Sequence, residues 1–120
     1  MECHDIIPQL SNYGSLLLEQ NIPEKALYYF EASKKLISDY WGTDNSDYGI
    51  ILRQIGTLYA AIRDFDKALN YFSEAEKVLL NVFPVNHPDI QIVRNYISQI
   101  YGVIGKSIKT GKNTDKIGKK

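Results

Sequence analysis

The sequence predicts an all-α protein: a short α-solenoid of two antiparallel helical hairpins and a fifth helix, followed by a Lys-rich tail. Three observations carry this reading. The chain matches itself without gaps at an offset of 42 positions, placing Gly14 on Gly56, Ala26 on Ala68, Phe30 on Phe72 and Asp47 on Asp89. Apolar residues recur at three- and four-residue steps, as in Leu52-Ile55-Tyr59-Ile62 and Leu69-Phe72-Ala75-Val78-Leu79. No stretch shows the alternation of a β-strand.

The elements follow in order. The first copy gives helices over 6–20 and 22–41, broken at Asn21-Ile22-Pro23. There Asn21 and Glu24 have the spacing of a capping box. The loop Gly42-Thr43-Asp44-Asn45-Ser46 closes this copy. The second copy gives helices over 47–62 and 65–83, broken at Arg63-Asp64-Phe65-Asp66 with Asp64 as the expected cap. A loop, Pro84-Val85-Asn86-His87-Pro88, follows. In it His87 reads as a cap, and Pro88 starts a last helix over 88–105, where its missing N–H costs nothing. The third copy is partial: Ile97 falls on Ile55 and Tyr101 on Tyr59. Residues 1–105 therefore read as one repeat domain and 106–120 as a flexible tail with too little apolar surface to fold alone.

The chain has 120 residues, 44% hydrophobic and 23% charged, which suits one ordinary globular domain. A net charge of zero hides an asymmetry, because residues 106–120 hold six Lys against one Asp and the body is correspondingly acidic. These Lys lie among Gly, Thr and Asn with no aromatic neighbours and no Arg, which favours a solubilising tail over nucleic-acid contact. One cysteine, Cys3, and two histidines, His4 and His87, provide neither a disulfide nor a structural zinc site. No apolar run is long enough to span a membrane, and the N-terminus lacks the pattern of a secretory signal, so a cytoplasmic or nuclear location is expected.

Catalysis is not expected. Cys3-His4-Asp5 holds a nucleophile, a base and an acid, but consecutive residues at a chain end diverge and form no catalytic trio. No strand–Gly-rich loop–helix pattern offers a phosphate cradle, and no cofactor is predicted.

The small-residue pattern resembles the tetratricopeptide repeat. Tyr13-Gly14 with Leu17, Ala26 and Phe30 carries it in the first copy, and Ile55-Gly56 with Tyr59, Ala68, Phe72 and Ala75 in the second. The third keeps Ile97 and Tyr101, with Ser98 in the Gly position. Departures are Leu10, Leu52 and Arg94 where the family has an early Trp, and Ser33 in place of the last Ala. The repeat length and the segment Asn86-His87-Pro88-Asp89-Ile90 look like the long repeats of kinesin light chains. They are also similar to the C-terminal helical domain of SET–MYND lysine methyltransferases, so a detached regulatory domain of that kind is the alternative to an adaptor.

The resemblance implies that the first helix of each hairpin lines a concave face that binds a peptide or helix of a partner protein. The residues left over from packing there are Asn12, Ser15, Arg53, Gln54, Thr57, Asn95 and Gln99, mostly uncharged and able to donate and accept hydrogen bonds. Arg53 is their only cation and suits a carboxylate. The two-carboxylate clamp of chaperone-binding relatives is missing, since Ser11, Ser15, Gln54 and Tyr96 stand at its positions. The last helix is apolar on more than one face, and Tyr96, Ile100, Val103 and Ile104 are expected to pack against a partner, a neighbouring domain or a second copy in a homodimer.

Overall fold

The computed structural model describes the backbone of residues 3–110 and the side chains of residues 9–105. Five helices follow one another: α1 (Cys3–Glu19), α2 (Pro23–Trp41), α3 (Ser46–Ala61), α4 (Phe65–Val82) and α5 (Pro88–Thr110). Among the described residues there is no strand. The hairpins α1–α2 and α3–α4 stack in register, and α5 takes the place of the first helix of a third. The last helix overruns its expected end: it continues past 105 to Thr110, and residues 111–120 lie outside the described part.

Each hairpin depends on a glycine. A Cβ on Gly14 would lie 2.8 Å from Cε1 of Phe30, and one on Gly56 would lie 2.9 Å from Cδ1 and Cε1 of Phe72. Both distances are below any real Cβ contact, so only glycine lets α1 and α3 sit against the rings of α2 and α4. Phe30 and Phe72 are thereby buried at equivalent places in two linked cores. Leu17, Ala26, Ile37, Ile51, Ile55 and Leu58 surround the first, and Leu52, Ala68, Ala75, Leu79, Ile90 and Val93 the second. Full burial of side chains of this size contributes about 1.5–3 kcal/mol each relative to exposure.

Both hairpins turn by the same device. Asn21 (φ 66°) and Arg63 (φ 68°), 42 residues apart, are left-handed residues just past the ends of α1 and α3. The amides of Ile22 and Asn21 donate to the carbonyls of Leu17 and Leu18, each at 2.9 Å. Those of Asp64 and Arg63 donate to Tyr59 and Ala60 at 2.8 and 3.0 Å, which completes a Schellman motif at each turn. Asn21 is thus not the cap of α2 that its spacing suggested: Ile22 holds that position, without a side-chain bond. A left-handed backbone directs Asn21 to closing the helix before it instead.

The remaining caps are side chains. Oδ1 of Asp64 accepts from the Lys67 amide at 3.4 Å. Asn45 joins α2 to α3, accepting from the Tyr48 amide at 2.8 Å while its Nδ2 donates to the Gly42 carbonyl at 2.9 Å. Nδ1 of His87 accepts from the Asp89 amide at 3.1 Å, and its ring stacks on Phe83 with 3.7 Å between centroids.

The stacking order makes the surface concave. The backbone of α3 comes close to those of both α1 and α5, whereas the backbones of α2 and α4 lie farther apart and meet through side chains, with Lys34 over the Tyr71 ring at 5.6 Å. The layer formed by α1, α3 and α5 is therefore the shorter, inner side of the curve.

Candidate functional site

Two cavities open side by side on the inner layer. The first, of 270 Å³, lies between α1, α3 and α5 and is lined by Ser15, Leu18, Glu19, Arg53, Gln54, Thr57 and Tyr96, with Phe30 beneath. The second, of 330 Å³, lies between α5 and the α3–α4 turn. Ala60, Ala61, Phe65, Ile100 and Val103 make it mainly apolar. Thr57 and Tyr96 border both.

Helical phase explains the first cavity. Arg53, Gln54 and Thr57 occupy one side of α3, opposite the buried Ile51, Leu52, Ile55 and Leu58. The Thr57 hydroxyl donates to the Arg53 carbonyl at 3.0 Å, so its oxygen keeps lone pairs that can accept. Nε of Arg53 is buried and, among the described residues, has no hydrogen-bond partner. Arg53 and Glu19 share the cavity but form no ion pair. A buried guanidinium N–H without an acceptor is costly, and that cost falls only where an acceptor oxygen comes within hydrogen-bond distance of it.

The structure brings together Ser15, Arg53, Gln54 and Thr57, and places Gln99 in the neighbouring apolar cavity. Asn12 and Asn95 are exposed and line neither. Leu18 packs against the first core and also walls the first cavity; the sequence reading did not single it out.

The expected interface on α5 needs correction. Ile100 is only 4% exposed, buried in the second core, and Ile104 packs on the same cluster. Tyr96 stacks on Phe72 with ring centroids 5.2 Å apart. Ile90, Val93, Ile97, Ile100 and Ile104 form the stripe that faces α4, which leaves Val103 alone of the four as an exposed residue. Among the described residues, the large apolar side chains that α5 exposes are Ile92, Tyr101 and Val103. Tyr101 is 60% exposed, whereas its equivalent Tyr59 stacks on Tyr71 of the following helix at 5.6 Å. Arg94, in a position that is apolar Leu52 one repeat earlier, pairs instead with Glu76 of α4 at 2.6 Å.

Among the described residues no group of His, Cys, Asp or Glu is arranged to hold a metal, and no helix is long and apolar enough to cross a membrane.

Stacked antiparallel hairpins closed by a glycine–phenylalanine contact, with the first helices inward, define a helical-repeat protein. The model of the tetratricopeptide repeat family matches residues 7–81, and the chain belongs to that family. Its repeats generally mediate protein–protein interaction. No curated protein and no solved structure matches the chain.

Proposed function

We propose that the protein is an adaptor that holds a peptide segment of a partner protein on its inner face, across α1, α3 and α5. The observation that carries this reading is the buried, unpartnered Nε of Arg53 in a cavity bordered by Gln54, Thr57 and Ser15. An extended peptide leaves its own backbone donors and acceptors unpaired, and these side chains supply partners for both.

Capture of partners from native lysate by the wild-type chain, by Arg53→Glu/Gln54→Ala and by the outer-surface control Lys77→Glu tests the reading. The adaptor role requires a partner retained by the wild type and the control and lost by the groove variant, with all three equally helical by circular dichroism. A partner captured equally by all three overturns it.

A further inference from the structure

We infer that the inner face selects a particular pair of side chains: an acidic residue held by Arg53 and a large apolar residue three positions away, seated in the adjoining cavity. This inference rests on the peptide-binding reading of the groove and specifies its ligand.

The two cavities differ in chemistry. In the first, the buried Nε of Arg53 presents a charged N–H with no acceptor. Glu19, the carboxylate on the same wall, is exposed at the last turn of α1 and makes no ion pair with it. A planar guanidinium with an open N–H matches a carboxylate more closely than any neutral acceptor does. The second cavity contains no acidic side chain; its cation Arg63 stands at the rim, directed over the Phe65 ring at 5.2 Å. Ala60, Ala61, Ile100 and Val103 leave an apolar recess there that a large aliphatic or aromatic side chain would fill.

The spacing follows from α3, which contributes to both. Arg53 and Ala60 are seven residues apart, about 10 Å along the helix. A peptide in β conformation repeats its same-side residues at about 7 and 13 Å, and fits poorly. A polyproline-II segment rises about 3.1 Å per residue with three residues per turn, so residues i and i+3 share a side about 9 Å apart. The bound segment is therefore extended in the polyproline-II manner, with its acidic and apolar side chains three positions apart, both directed at the inner face.

Selection from a synthetic library of short random peptides by the immobilised full-length chain tests this. The expected result is enrichment of Asp or Glu with a large apolar residue three positions away. Arg53→Gln should remove the acidic preference and Ala61→Glu the apolar one, each lowering affinity for a selected peptide roughly tenfold to a hundredfold. Arg53→Lys keeps the charge but has no Nε, and should not restore binding. Glu19→Gln, which removes a competing carboxylate, should strengthen binding of acidic peptides. Peptides selected without that pair, yet lost on Gln54→Ala, would leave the groove reading intact and overturn this inference. Selection of no peptide would overturn both.

Discussion

Replacing Gly56 by alanine sets two opposing effects against each other, and the structure decides between them. In the interior of a helix, alanine is favoured over glycine by about 1 kcal/mol. At position 56 the added methyl would meet Cδ1 and Cε1 of Phe72 at 2.9 Å and Cγ at 3.2 Å. The ring has nowhere to go, because Tyr96 stacks on it with 7° between the planes and Phe72 is fully buried. Overpacking of this kind costs about 1–3 kcal/mol, which offsets the gain in helix propensity and leaves a net loss of up to about 2 kcal/mol. Gly102 provides the matched control. It lies within α5 with nothing inside 4 Å of its would-be Cβ, so Gly102→Ala should stabilise by about 1 kcal/mol. Thermal unfolding followed by circular dichroism reads the difference, at roughly 4–8 °C in Tm per kcal/mol for a domain of this size. In a Phe72→Leu background the penalty at position 56 should shrink by about 1 kcal/mol, since the two residues are in contact. A Gly56→Ala protein as stable as Gly102→Ala would refute the claim that close approach of α3 to Phe72 requires glycine.

Arg63 holds a left-handed backbone, so Arg63→Gly should stabilise by about 0.5 kcal/mol, net of the lost contact over Phe65. Arg63→Ala keeps the strain and should destabilise, and chemical denaturation distinguishes the two. Arg94→Ala removes the ion pair that ties α5 to Glu76 and should cost about 0.5–1 kcal/mol; the loss should diminish in high salt. At the seam of α2 and α4, burial lowers the Lys34 pKa, but Glu31 at 3.3 Å and the neighbouring tyrosines outweigh it and leave the pKa raised. Burial raises that of Tyr71, against the opposing pull of Lys34. Both folded-state values are raised, so their contribution is fully present below about pH 10 and is lost as pH rises further. Denaturation midpoints should therefore fall above pH 10, and Lys34→Met/Tyr71→Phe should flatten that fall.

The hairpins were legible because a constant repeat offset equates positions residue by residue. Gly14 and Phe30 stand at the same repeat positions as Gly56 and Phe72, and in the structure each pair is in close contact. Asp64 and His87 capped as their spacing implied, since an Asx or His beside a helix start has few other local bonds to make. Asn21 misled for the same reason: its side chain is equally at home as a cap or as a left-handed terminator, and only the backbone distinguishes them. The groove was legible on α3 and less so on its neighbours. Which side of α3 faces inward follows from the period of its own core residues. How far α1 and α5 rotate against it depends on packing between helices distant in sequence, which put Asn12 and Asn95 outside both cavities. The same rotation turned Ile100 into the core, where Ile90 and Val93 had already set the buried stripe.

The central claim, that the inner face is where a partner peptide sits, is tested most directly by nuclear magnetic resonance of the isotope-labelled chain during titration with a library-selected peptide. The claim predicts that the largest shift changes fall on Ser15, Arg53, Gln54, Thr57 and Tyr96. It also predicts that the Nε–H resonance of Arg53 moves to the position of a hydrogen-bonded guanidinium. Changes concentrated on the outer helices, around Tyr28, Tyr40 and Lys77, with the Arg53 resonance unmoved, would contradict it.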